Sequence, residues 1–168
     1  MHDQNGRTRT AAEKLARFIQ IRTVSYEDPG RIERGQFEKV EPFLRAEFPL
    51  VFEHLTFTKI NDLAYLFFWE GTDPALKPGL LTAHFDVVPA DGALWTRPPF
   101  DGAIEDDFLY GRGTLDTKCT LLGILEAAEL LLAEGFAPRR SWYFAFGGDE
   151  ELIGNRGAGE ISRYLEEQ

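Results

Sequence analysis

Three short segments of this chain carry residue types that do chemistry together. They are His84-Phe85-Asp86, the run Gly111-Arg112-Gly113-Thr114-Leu115-Asp116-Thr117-Lys118, and Gly147-Gly148-Asp149-Glu150-Glu151. A histidine nitrogen and several carboxylate oxygens are the donors zinc takes. In extended chain, residues two apart point the same way, so Asp86 can hold the ring of His84. Metal-bound histidines commonly donate their second ring N–H to such a carboxylate, which fixes the tautomer. Carboxylates crowded at Asp149, Glu150 and Glu151 repel one another unless a cation compensates them. Two adjacent glutamates can divide labour, one ligating and one taking a proton from water.

Each segment also has a plain structural reading. His84 and Asp86 read equally as a strand-end pair, Asp116 as a helix cap, and the acidic run as a helix N-terminus favoured by the dipole. A phosphate-cradling loop is a further reading of the glycine run. The pattern of glycine, four residues and Gly-Lys-Ser/Thr is nevertheless missing from the sequence. What singles the segments out is that all three follow an apolar strand or a short hairpin, where α/β proteins place their sites.

The elements that must deliver them read as follows. Residues 10–22 form an amphipathic helix, with Ala12, Leu15, Phe18 and Ile19 on one face and Thr10 as its cap. Residues 34–47 suggest a second helix, with Pro42 as a local difficulty. Residues 50–58 and 62–69 are aromatic-rich strands joined at Asn61-Asp62. Residues 79–88 read as a buried strand stopped by Pro89, and 90–103 as a long loop. A hairpin is expected around 104–110, turning at Asp106-Asp107. Residues 118–133 are apolar nearly all round, a buried helix ended at Gly135. A buried strand at 141–146 and a helix at 157–165 complete the pattern. Alternating strands and helices give an α/β class, with a mixed central sheet covered by helices on both faces.

Composition narrows the function classes. The chain has 168 residues and a formal charge of −10, from 28 acidic and 18 basic side chains. That surface repels phosphate backbones, so no nucleic-acid partner is expected. No apolar run reaches bilayer-spanning length, so no membrane partner is expected either. The polar start and the single cysteine, Cys119, favour a cytoplasmic protein.

The segments Leu81–Pro89, Gly111–Lys118 and Gly148–Glu151 resemble those of the M20 metallopeptidases. The subgroup is the carboxypeptidase S and Gly-Xaa carboxypeptidase type. Trp95–Phe100 and Ile21–Ser25 resemble the same group, so the likeness runs along nearly the whole chain. It implies a three-layer zinc-peptidase-like domain and two zinc ions per complete site, with cobalt or manganese as substitutes. It implies that His84 binds one zinc, Asp86 orients His84, Asp116 bridges both ions, Glu150 is the general base and Glu151 binds the other zinc. It further implies a cis peptide bond at Asp116-Thr117. Thr117 and Gly148 depart from the subgroup, which often has aspartate and histidine there. Family members run well beyond this length. The chain is therefore expected to be the N-terminal portion of the catalytic domain, without the lid or dimerisation domain and the C-terminal catalytic segment.

The expected activity is hydrolysis of an amide bond in a small peptide or N-acyl amino acid, with a homo-oligomer as a possible full-length state. A catalytically incomplete fragment with weak metal binding is the alternative. A magnesium-dependent phosphohydrolase is a third reading, disfavoured by His84 because magnesium prefers oxygen ligands.

Overall fold

A computed structural model describes the backbone of residues 4–168 and the side chains from residue 10 onward. Its centre is a four-stranded sheet in the order β1-β2-β6-β3, made of β1 (Thr56–Asn61), β2 (Ala64–Trp69), β6 (Trp142–Gly147) and β3 (Gly79–His84). β1 and β2, and β2 and β6, pair antiparallel, while β3 pairs parallel with β6. The sheet is therefore mixed, as the sequence predicts. Side chains alternate between its faces. Tyr65, Phe67, Phe144 and Phe146 enter the main core together with Phe18, Val40, Leu44, Leu121 and Leu125. Ala64, Leu66 and Ala145 face the other way, onto Ile161.

The main core is roofed by α1 (Gln4–Ile19), α3 (Val40–Glu47), α4 (Pro49–His54) and α5 (Lys118–Ala133), with the single turn α2 (Arg34–Phe37) leading into α3. α6 (Ala158–Glu166) covers the opposite face. Lys14 joins the roof by donating to Glu126 at 2.7 Å and to the Glu47 carbonyl at 3.4 Å. The short hairpin β4 (Ala103–Glu105) and β5 (Phe108–Tyr110) turns at Asp106 and Asp107, both at positive φ, which aspartate tolerates better than most residues. α5 has the bounds read from the sequence, and Gly135 at φ +73° stops it.

Four local expectations are corrected. α1 begins at Gln4 rather than at Thr10 and ends at Ile19, where the Phe18 and Ile21 carbonyls accept from the Lys118 ammonium. Residues 34–47 split into α2 and α3. Pro42 has no N–H to donate, so it sits in the first turn of α3, where none is needed. Residues 49–54 are helical, not strand. Pro49 opens the helix, and the Glu129 carboxylate accepts from the amides of Leu50 (3.0 Å) and Val51 (2.9 Å). β3 stops at His84 and is an edge strand, with Leu80 54% and Leu81 39% exposed, so it is not the buried strand its apolar run suggests.

The cap on α4 comes from a side chain nearly eighty positions away, and it satisfies two amides that no helical carbonyl can reach. Glu129→Ala should lower the free energy of unfolding by about 1–2 kcal/mol, the scale of a lost helix cap. Urea denaturation of parent and variant measures it, and equal midpoints would show that α4 needs no cap.

Candidate metal centre

The parallel pair β3–β6 builds the site. His84 is the last residue of β3 and sits opposite Gly147, the last residue of β6. The chain leaves both strands at the same end of the sheet. After β6 it turns through Gly148 and Asp149 into a single 3-10 turn, Glu150–Leu152. Gly148 is required there, because a Cβ would lie 2.4 Å from the Phe85 ring and 3.0 Å from Leu63.

Asp116 arrives from the loop between β5 and α5. Gly113 adopts φ +90° and passes so close to Val87 that a Cβ would meet it at 2.8 Å. The Asp116-Thr117 peptide is cis. Asp116 caps nothing: the residue preceding α5 is Thr117, and no side chain caps that helix.

Ligand atoms of His84, Asp116 and Glu151 all lie within 4.8 Å of one another. His84 Nε2 is 3.1 Å from Asp116 Oδ1 and 3.6 Å from Glu150 Oε2. One nitrogen and two carboxylates at this separation are a donor set that suits zinc, whose bonds to such atoms are about 2 Å long. Asp116 and Glu150 stay open to solvent, at 77% and 60% side-chain exposure. His84 is nearly buried.

Asp86 stands behind the histidine with no solvent exposure. His84 Nδ1 is 3.0 Å from the Asp86 carbonyl and 3.3 Å from its Oδ1. Asp86 does more than face His84. Its Oδ1 accepts from the Glu150 amide at 3.1 Å, and its Oδ2 from the Glu151 amide at 3.2 Å and the Ser25 hydroxyl at 2.7 Å. Asp149 has a separate task, accepting from the amides of Arg156 and Gly157 just ahead of α6. Lys118 is wholly buried behind the loop. Neither Ser25 nor Lys118 stands out as chemistry in the sequence. A serine beyond a helix end forms no pattern, and a lysine opening a helix reads as solvated.

The electrostatics follow from this crowding. Burial alone would lower the His84 pKa, but the Asp86 and Asp116 carboxylates outweigh it and raise it to about 9. Burial raises the Glu151 carboxyl, and the neighbouring carboxylates add to that while His84 opposes it. Burial pushes the Lys118 ammonium down to about 7, against the pull of Asp86.

Residues 80–168 match the profile of peptidase family M20/M25/M40. The N-fatty-acyl-amino acid synthase/hydrolase PM20D1 of Bos taurus is 43% identical over 157 residues, covering 92% of this chain and 31% of that protein. Carboxypeptidase S of Saccharomyces cerevisiae is 38% identical over 178 residues, covering all of this chain and 31% of that protein. Among solved structures, the dipeptidase Dug1p of Saccharomyces cerevisiae aligns over 97% of this chain and 36% of its own, with a TM-score of 0.73 at 20% identity. The chain thus spans about a third of the length of the proteins it matches.

A metal must displace the proton from His84 Nε2 to bind there. With the folded pKa near 9, zinc binding at pH 7 should release about one proton from this residue, and affinity should rise with pH until about 9. Calorimetry in two buffers of different ionisation enthalpy counts the protons. No release at pH 7 would mean that His84 is not displaced.

Proposed function

We propose that this chain, which belongs to peptidase family M20/M25/M40, carries the metal-holding half of a hydrolase that cleaves the amide bond of a small peptide or an N-acyl amino acid. The observation that carries this reading is the convergence of His84, Asp116 and Glu151 within 4.8 Å. Family membership implies a divalent metal, zinc in the first instance, and the donor set fits that ion. The names of the relatives support the substrate class, because one is an N-fatty-acyl-amino acid hydrolase and another a carboxypeptidase.

His84 would hold one zinc and Glu151 the other, with Asp116 shared between them. Bound there, the ions supply Lewis-acid activation of water and of the scissile carbonyl. Glu150 lies outside the ligand triad, yet its Oε2 is 3.6 Å from His84 Nε2. Its carboxylate is free to take the proton that the attacking water sheds and to deliver it to the departing amine nitrogen. Asp86 keeps the His84 ring in one orientation, so that Nε2 faces Asp116. The acidic surface and the one cysteine support a cytoplasmic setting and no nucleic-acid partner. No helix of the described residues is long and apolar enough to cross a membrane.

One observation favours a second reading, in which the 168-residue chain alone binds metal weakly and turns over little. Among the described residues the triad gives three protein ligands for two ions, whereas a catalytic zinc ordinarily has three of its own. Misplacement on that account costs about 10²-fold in rate.

Glu150→Gln should leave zinc content unchanged and lower turnover by about 10²-fold or more, the loss expected of a general base. His84→Ala and Asp116→Ala should lose zinc. Zinc content and hydrolysis of dipeptides and N-acyl amino acids are measured side by side, in this chain and in any longer product that contains it. Zinc lost from Glu150→Gln would make that residue a ligand instead. Turnover by the 168-residue chain near a typical median of about 10 s⁻¹ would dismiss the second reading.

A further inference from the structure

We infer that Ser25 is a positioning residue for the metal centre, acting through Asp86. The argument begins with the acceptor capacity of Asp86. Its two oxygens receive three hydrogen-bond donors: the Glu150 amide on Oδ1, and the Glu151 amide and the Ser25 hydroxyl on Oδ2, while His84 Nδ1, bonded to the Asp86 backbone carbonyl, lies 3.3 Å from Oδ1. Of these contacts the serine's is the shortest, at 2.7 Å. A carboxylate with no solvent exposure has no water to replace a lost partner. Without the hydroxyl, Oδ2 is held by one amide alone, and the carboxylate is free to rotate toward other donors. Both glutamates that follow β6 hang from this carboxylate by their backbone, and the charge of Oδ1 lies beside His84 Nδ1. Any rotation is therefore passed to the Glu150 and Glu151 amides and changes the charge that faces His84.

The strap that carries Ser25 is anchored without its side chain. Its amide donates to the Val87 carbonyl at 3.0 Å, the Val87 amide to the Thr23 carbonyl at 2.9 Å, and Val24 pairs with Val87 in an isolated parallel bridge. The Thr23 hydroxyl donates to the Phe85 carbonyl. Upstream, Lys118 fixes the Phe18 and Ile21 carbonyls. Substituting Ser25 therefore removes one bond to Asp86 and leaves the strap in place. Ser25 is buried, so its hydroxyl has no role toward solvent.

The test compares Ser25→Ala, Ser25→Thr and Thr23→Val in the 168-residue chain. Two quantities are read: zinc affinity by competition with a chromophoric chelator, and hydrogen exchange of the Glu150 and Glu151 amides in the metal-free protein. Ser25→Ala should weaken zinc by about tenfold, the lower end for loss of a partner behind a ligand, and should speed exchange at both amides. Ser25→Thr, which keeps the hydroxyl, should restore both. Thr23→Val should lower overall stability and leave both unchanged, because its hydroxyl serves Phe85 and not Asp86. Should Ser25→Ala fail to fold, Ser25→Cys keeps the volume with a weak donor and takes its place in the comparison. Parent-like behaviour of Ser25→Ala in both readouts overturns the inference, as does an equal loss in Thr23→Val. The affinity arm rests on the metal reading proposed above, but the exchange arm does not. A parent that takes up no zinc would end the metal reading alone and leave exchange to decide the role of Ser25.

Discussion

A carboxylate cannot be left unpaired out of water, and Asp86 is fully out of water. Losing the partners of a buried charge costs several kcal/mol, more than a surface bond returns. The chain meets that demand by bringing three stretches distant in sequence to one point: Ser25 after α1, His84 at the end of β3, and the Glu150–Glu151 amides after β6. Satisfying one buried charge thus sets the relative positions of the strand ends that present the ligand groups. The remaining elements serve the same point from further away. Phe85 packs on Tyr65 with ring centroids 5.1 Å apart, which seats the chain directly before Asp86 on the main core. Lys118 ties the end of α1 to the start of α5 beneath the Asp116 loop.

How much of this could be read from the sequence depended on whether the cause was local. α5, the hairpin at Asp106-Asp107 and the turn at Asn61 are set by nearby residues. Sixteen residues of helical apolar spacing define α5, and the Asn61 side chain itself accepts from the Leu63 amide at 2.7 Å. Residues 50–54 read as strand from the sequence, because their helix is capped by Glu129, a tertiary contact with no local signature. The edge position of β3 was invisible for a related reason. Leu80-Leu81-Thr82-Ala83 has the composition of a strand covered on both faces, and nothing in that run says how many neighbours it has.

The site divides in the same way. Histidine and carboxylates at strand ends were legible as types, and the structure gathers His84, Asp116 and Glu151 as a group. The manner in which Asp86 works was only partly legible. Spacing places it beside His84, but its bonds to Ser25 and to two backbone amides depend on the parallel alignment of β3 with β6. Gly148 is the converse case. As sequence it is a departure from the resembled pattern, while in space it is the residue that lets the Glu150–Glu151 turn pass against Phe85.

The charges show why such a cluster is poised for a cation. Asp86, Asp116, Glu150 and Glu151 surround one imidazole: burial, with the neighbouring carboxylates adding to it, raises Glu151, and the attraction of Asp86 and Asp116 outweighs burial and raises His84 to about 9. In the metal-free protein the proton on His84 is the positive charge that these carboxylates share. Lys118 cannot replace it. Burial drives its pKa down to about 7, and its ammonium hydrogens are directed to the Phe18 and Ile21 carbonyls. Below its ordinary value of 6.5, His84 is charged whether the chain is folded or not, and its pairing contributes fully to stability. Between there and about 9 only the folded form holds the proton, so the contribution fades as pH rises through that window. A divalent cation brings twice the charge of that proton to the same place and does not depart as pH rises. The carboxylates that make His84 a strong base therefore also make a metal ion the better counter-charge at neutral pH and above.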